Sequence, residues 1–139
     1  MLRVVLDPGV LVSGFITAEG PPGRIVDFWR RGVFELVVSD ALLGELQHVL
    51  QRPHLAVRVD GREARDYVAG LRRGAIAIDD PPNEPGLTPD PGDDHLIALA
   101  RAARADLTVS GDAHLTGLVG ATPPVMTPQA FAAMLVPDA

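Results

Sequence analysis

Short apolar runs alternate with longer amphipathic stretches along most of the chain. The apolar runs, which predict strands, cover residues 2–6, 34–38, 75–78, 107–110 and 125–126. The stretches with helical spacing cover residues 10–16, 24–31, 39–51, 62–73, 93–104, 114–119 and 127–135. Strands that alternate with helices are typical of α/β proteins. We therefore expect an α/β/α fold with a central, mostly parallel sheet of four to five strands.

Residues 79–92 contain five prolines and predict a long irregular loop. Predicted strands lie on both sides of this loop, and neither side alone makes a convincing domain. We therefore expect residues 1–139 to form one domain, as is usual for a chain of this length.

The composition excludes several classes of protein. The chain has no cysteine, which excludes disulfide frameworks, thiol nucleophiles and Cys-ligated zinc. All 12 basic residues are arginine, and the lack of lysine excludes P-loops, Schiff-base enzymes and lysine-dependent receiver domains. No apolar stretch approaches the length of a membrane span, and the first residues lack the features of a signal peptide. We expect a soluble, cytoplasmic protein, and the arginine, alanine, glycine and proline usage is typical of a GC-rich bacterial genome.

Acidic residues fall where a parallel sheet places its functional edge. Asp7 directly follows the first strand, and Asp112 comes two residues after Ser110, which ends the fourth. Asp93 and Asp94 begin the helix that precedes that strand. Because ligands of open α/β sheets bind beyond the carboxyl ends of the strands, we expect these acids to approach one another.

Glu45 is a further candidate, at the flank of an apolar helix stripe. It lies about 90° from the centre of that stripe at helical spacing, and the stripe consists of Leu42, Leu43, Leu46, Val49 and Leu50. Carboxylates packed together need a compensating cation, and oxygen ligands suit Mg²⁺ or Mn²⁺. We predict that Asp7, Glu45, Asp94 and Asp112 share one or two such cations. Asp93 is the weaker candidate, because capping the helix also explains it.

Each candidate also has an ordinary structural explanation. Asp7 before Pro8 suits a helix cap, acids at a helix start favour its dipole, and Asp112 suits a turn. Ser110 is a candidate contact to substrate, although ending a strand is the plainer role. His114 is a candidate contact to substrate phosphate, although a surface histidine is the plainer alternative. No pattern of histidine spacing predicts a metal site.

Three segments together resemble the PIN-domain ribonucleases, and specifically the VapC-like toxin components of bacterial toxin–antitoxin pairs. The segments are VLDPGVLVSG, SDALLGELQHVLQRP and DPGDDHLIALARAARADLTVSGDAHL. In the resemblance, Asp7 is the first aspartate, Glu45 the glutamate, Asp94 the helix-start aspartate and Asp112 the aspartate after the strand. The resemblance implies an endoribonuclease that hydrolyses RNA phosphodiesters through a water activated by Mg²⁺ or Mn²⁺. It also implies a homodimer and a cognate antitoxin.

The opening motif departs from the family pattern. The family usually has Asp-Thr-Asn or Asp-Thr-Ser, whereas this chain has Asp7, Pro8 and Gly9 and so lacks the polar third side chain. The alternative function is therefore a catalytically degenerate PIN-like domain that binds RNA or protein as a regulatory module. The net charge of −6 argues only against tight, nonspecific DNA binding, because five of the acids belong to the predicted site.

Overall fold

The computed structural model describes residues 1–88, 91–118 and 120–135. The strands are β1 (Arg3–Leu6), β2 (Glu35–Val38), β3 (Ile76–Ala77), β4 (Leu107–Val109) and β5 (Val125–Met126). The helices are α1 (Pro8–Ile16), α2 (Pro21–Arg30), α3 (Asp40–Leu50), α4 (Pro53–Ala56), α5 (Gly61–Gly74), α6 (Pro91–Ala102), α7 (Ala113–Thr116) and α8 (Pro128–Leu135). Within the described ranges, no helix combines the length and the apolar character that crossing a bilayer requires.

The five strands form one parallel sheet in the order β3-β2-β1-β4-β5. β1 is the central strand: Val4 pairs with Leu36 of β2 on one side and with Leu107 of β4 on the other. All the strands run in the same direction, so their carboxyl ends lie along one edge of the sheet. The predicted α/β class and parallel sheet are confirmed.

Burial of β1 shows that helices cover both faces of the sheet. Val4, Val5 and Leu6 are each 0% exposed, although successive strand residues point to opposite faces. Among the helices, α6 contacts β1 and β4, and α1 contacts α2 and α3. The central strand is therefore packed on both faces. This packing fixes the position of Asp7, which directly follows Leu6.

Local sequence signals explain where the helices begin. Asp7 caps α1 ahead of Pro8, and Ser39 caps α3 by accepting a hydrogen bond from the Leu42 amide. In the first half of the chain, α2 begins earlier than predicted and α4 was not predicted. The second helix begins at Pro21 rather than at residue 24, because proline suits the first turn of a helix. Pro53 ends the preceding pattern as expected, and it also begins the short α4.

The later elements follow the prediction closely. The predicted loop at 79–92 has neither helix nor strand from residue 79 to 88, and α6 begins at Pro91. The helix predicted at 114–119 is shorter, because α7 covers Ala113–Thr116, and residue 119 lies outside the described residues.

Candidate functional site

Asp7 lies at the centre of the functional edge, directly after β1. Its Oδ1 accepts a 3.0 Å hydrogen bond from the amide of Gly9, which is the capping contact of α1. Its Oδ2 accepts a 2.7 Å hydrogen bond from the hydroxyl of Ser110. Both oxygens are therefore held by groups on neighbouring elements, and the carboxylate has a fixed orientation.

Asp7 and two other carboxylates line a small cavity. Glu45 reaches it from α3 and Asp93 from α6, and His95 lies in the same wall. The cavity measures about 30 Å³, which is room for a water-sized occupant rather than for a nucleotide. Glu45 is exposed beside the buried Leu46, as expected for the flank of an apolar stripe. This cavity brings together the predicted residues Asp7, Glu45 and Asp93.

Asp112 lies in a second, larger cavity that shares Asp7 as a wall. This cavity of about 440 Å³ also contains Gly9, Pro22 and Pro128 in its walls. Oδ1 of Asp112 accepts a 2.8 Å hydrogen bond from the His114 amide, and this contact caps α7. Asp7 is therefore flanked by Glu45 and Asp93 on one side and by Asp112 on the other.

Asp94 takes a different position from the one expected. The residue is 2% exposed, and its carboxylate faces the loop before α6. Oδ1 accepts from the amide and the hydroxyl of Thr88, at 2.6 Å and 2.9 Å, and Oδ2 accepts from the Gly86 amide at 3.1 Å. Burial by itself would raise the pKa of Asp94, but these hydrogen bonds outweigh it and hold the pKa below its usual range.

Asp94 therefore lies outside the cavity that Asp7, Glu45 and Asp93 line. Asp93 and Asp94 point about 100° apart on the helix, and the hydrogen bonds of Asp94 direct its carboxylate away from the cavity. The helix α6 is apolar on most sides, which left its rotation undetermined by the sequence pattern. The structure places Asp93 in the cavity and Asp94 against the loop.

Ser110 and His114 were the predicted substrate contacts. Ser110 is 0% exposed, so its hydroxyl contacts Asp7 and does not reach a ligand in solvent. Its oxygen also accepts a 3.0 Å hydrogen bond from the Asp112 amide, which links the two acids of the edge. His114 is exposed on α7, and its backbone amide contacts Asp112.

The donor set suits a hard divalent cation in its chemistry, because carboxylate oxygens predominate. Within the described part of the chain, no three His, Asp or Glu side chains lie close enough to hold one ion as they stand. A cation held here has to draw Glu45 and Asp93 toward Asp7. Mutual repulsion of the three like charges opposes that rearrangement, and the charge of a bound cation would have to compensate it.

His95 lines the smaller cavity and Asp80 contacts His95, and neither residue was predicted to take part in the site. The His95 Nε2 lies 3.1 Å from Asp80 Oδ1, and Asp80 Oδ2 accepts a 3.0 Å hydrogen bond from the Ala41 amide. Burial opposes the charge on Asp80, but hydrogen bonds from Ser39 and Ala41 and the nearby His95 hold its pKa below the usual range. The sequence could have predicted Asp80, because this acid closely follows the third strand, just as Asp7 follows the first.

Comparison with known proteins identifies the family. A family model described as the PIN domain matches residues 3–114, whereas no curated protein matches the chain significantly. The crystal structure of PAE2754 from Pyrobaculum aerophilum is similar, with a TM-score of 0.68, 13% identity, and coverage of 96% of this chain and 95% of that chain. VapBC2 from Rickettsia felis, solved with a DNA fragment from its promoter, has a TM-score of 0.62, 11% identity, and coverage of 91% and 98%. These structures share the fold, and because the family model spans most of the chain, the chain belongs to the PIN domain family.

Proposed function

We propose that this PIN domain is a metal-dependent endoribonuclease and the toxin component of a bacterial toxin–antitoxin pair. The observation that carries the proposal is the cavity at the carboxyl edge of the sheet whose walls contain Asp7, Glu45 and Asp93. PIN domains are nucleases as a family, and the family model covers the segments that contain these three acids. The reaction is hydrolysis of RNA phosphodiester bonds with Mg²⁺ or Mn²⁺.

The residues around the cavity have different roles in this proposal. Asp7, Glu45 and Asp93 would hold the cation through their carboxylates. A bound divalent cation supplies Lewis-acid activation of water and neutralises charge that develops on the phosphate. Ser110 and the Gly9 amide orient Asp7, so its oxygens do not have to reorganise when a cation arrives. The small volume keeps the nucleotide outside the cavity and lets only the scissile phosphate approach.

The larger cavity on the other side of Asp7 suits the rest of the substrate. Its volume of about 440 Å³ lies in the range of small-ligand sites. Pro22, Pro128 and Val10 give it apolar walls for a ribose or base, and Asp112 also lines it. A single strand or an exposed loop of RNA reaches such a groove more easily than a stacked helix does.

Partners follow from the similarity to a toxin–antitoxin structure. VapBC2 from Rickettsia felis was solved with DNA from its promoter, and its fold matches this chain. We extend this to a cognate antitoxin protein and a homodimer for this chain, with cytoplasmic RNA as the substrate.

The decisive experiment compares RNA cleavage by the purified wild type, Asp7→Asn and Asp93→Asn, each with Mn²⁺ and with EDTA. A matched control is Glu63→Gln, which removes an exposed acid in the first turn of α5, outside the walls of both cavities beside Asp7. We expect cleavage with Mn²⁺ by the wild type and the control only. Equal cleavage by all four proteins would contradict the assignment of Asp7 and Asp93.

The second candidate is a PIN domain that binds RNA or protein without cleaving. Gly9 favours it, because the opening motif supplies no polar side chain beside Asp7. The same preparations distinguish the two functions. RNA binding without cleavage in any divalent cation, together with no Mn²⁺ binding by calorimetry, would establish the binding module and exclude the nuclease.

A further inference from the structure

The carboxylate of Asp94 fastens the loop before α6 to the first turn of that helix. It accepts three hydrogen bonds from residues six and eight positions earlier, two from Thr88 and one from the Gly86 amide. The side chain is almost completely buried, and these contacts satisfy both of its oxygens. A buried carboxylate that is bonded in this way has no accessible lone pair directed at the cavity of Asp7.

The same contacts determine which way Asp93 points. Asp93 precedes Asp94 on α6, so its side chain leaves the helix about 100° away. With Asp94 directed at the loop, Asp93 is directed at the cavity that also contains Glu45. Rotation of this first turn to bring Asp94 into the cavity would break three hydrogen bonds and turn Asp93 away.

A second tie holds the other end of the same loop. Asp80 pairs with His95 on α6 and accepts a hydrogen bond from the Ala41 amide at the start of α3. The proline-rich segment from Asp80 to Thr88 is therefore anchored at both ends to the helices that contain Glu45 and Asp93. The loop acts as a brace between α3 and α6.

We propose that Asp94 is a positioning residue: it clamps Gly86 and Thr88 to α6 and thereby aims Asp93 at Asp7 and Glu45. Asp93, rather than Asp94, then acts as the cation ligand from this helix. This proposal rests on the proposed metal-dependent function, because the positioning of Asp93 is measured through the affinity of the protein for the metal. The clamp itself is a property of the metal-free protein.

The first test measures amide hydrogen exchange without metal in Asp94→Asn, Thr88→Val and Asp93→Asn. Asparagine at position 94 places an NH₂ group where Oδ2 accepts the hydrogen bond from the Gly86 amide. Valine at position 88 removes the hydroxyl that donates to Oδ1. We expect the amides at 86 and 88 to exchange about tenfold faster in Asp94→Asn, because hydrogen bonds to a carboxylate are strong. A smaller increase is expected in Thr88→Val and none in Asp93→Asn. Unchanged exchange in both loop-contact variants would overturn the clamp.

The second test measures Mn²⁺ affinity by calorimetry in the same variants, in Thr88→Ser and in the double variant Asp94→Asn/Thr88→Val. We expect Asp94→Asn to weaken binding about tenfold, as is typical when a residue supporting a ligand is lost. Thr88→Val should weaken it less, Thr88→Ser should restore the wild-type value, and Asp93→Asn should weaken it most. The double variant should bind no more weakly than Asp94→Asn, because both changes break the same clamp.

The outcomes separate this proposal from the proposed function. Wild-type Mn²⁺ affinity in Thr88→Val, or losses that add fully in the double variant, would show that Asp94 does not act on Mn²⁺ binding through Thr88 and would overturn the positioning role. If the wild type binds no Mn²⁺ and cleaves no RNA, the proposed function fails and the positioning role fails with it. Faster exchange at 86 and 88 would then show that the clamp is purely structural.

Discussion

The hydroxyl of Ser110 donates a 2.7 Å hydrogen bond to Oδ2 of Asp7, although the two residues are 103 positions apart in the chain. It joins the end of β4 to the end of β1, the two strands that meet at the centre of the functional edge. The contact is fully buried on the serine side. Ser110 therefore contributes to the site by fixing Asp7, and its effect on catalysis is expected to be indirect.

Replacement of Ser110 by alanine should lower Mn²⁺ affinity and RNA cleavage by about tenfold, since a group that orients a ligand is lost. The matched control is Thr108→Val. Thr108 lies on the same face of β4 and is also buried, and its Oγ1 has no hydrogen-bond partner among the described residues. Valine there should leave cleavage unchanged and raise the free energy of unfolding by about 1 kcal/mol. Equal activity of Ser110→Ala and Thr108→Val would contradict the positioning of Asp7 by Ser110.

Gly9→Ser should strengthen Mn²⁺ binding a few-fold. A Cβ at Gly9 would lie 3.7 Å from Oδ1 of Asp7, an ordinary contact, and position 9 is exposed. The new hydroxyl can therefore hydrogen-bond to water around a cation beside Asp7. Gly44→Ser is the control, because it adds the same group to α3 with open space around it. Both variants should fold, and only Gly9→Ser should change the calorimetric affinity; an unchanged affinity would show that position 9 does not limit the site.

Glu45→Gln should change stability in opposite directions with and without metal. In the metal-free protein the substitution removes repulsion from Asp7 and Asp93, so the melting temperature should rise slightly. The gain should stay below about 1 kcal/mol, because Glu45 is exposed. With saturating Mn²⁺ the wild type gains stability from binding and the variant gains less.

Thermal melts of Glu45→Gln and of the control Glu63→Gln, each with Mn²⁺ and with EDTA, test this reversal. The control should respond to Mn²⁺ as the wild type does. A Glu45→Gln protein that Mn²⁺ stabilises as much as the wild type would remove Glu45 from the ligand set.

Alkaline pH should unfold the protein through Tyr67. Its hydroxyl donates a 2.8 Å hydrogen bond to the Leu11 carbonyl, and burial raises the pKa of Tyr67 far above its ordinary value of 10.0, outweighing the nearby Arg30. Below pH 10 both the folded and the unfolded states keep the proton. Above it only the unfolded state loses the proton, so stability should fall by about 1.4 kcal/mol per pH unit.

The chain makes this measurement unusually clean, because it has one tyrosine and no lysine. Tyrosinate absorbance therefore reports Tyr67 alone, and it should appear together with unfolding. Tyr67→Phe should cost about 1 kcal/mol at neutral pH, through loss of the hydrogen bond, and should flatten the alkaline decline. Tyrosinate that forms near pH 10 while the protein stays folded would contradict the raised pKa.

The sequence predicted the sheet and its acidic edge because both depend on local pattern. Apolar runs identify buried parallel strands, and an acid directly after such a run must lie at the carboxyl edge, as Asp7 does. The rotation of α6 about its own axis could not be predicted in this way. Apolar residues cover most of that helix, so the pattern does not show which side faces the cavity. The choice between Asp93 and Asp94 depends on hydrogen bonds from Thr88 and Gly86, which local pattern does not encode. Asp80 followed the same edge rule as Asp7 but lay in a segment that its prolines marked only as loop.

The central position of β1 has a consequence for synthesis on the ribosome. Its partner on one side, β2, emerges soon after it, but its partner on the other side, β4, begins only at Leu107. Until then β1 has an open edge, and Asp7 lacks the hydroxyl of Ser110. A nascent chain in which β4 has not yet formed therefore lacks the part of the larger cavity wall that Gly111 and Asp112 supply. If the protein cleaves RNA, it gains that ability only after β4 has been synthesised and has paired with β1.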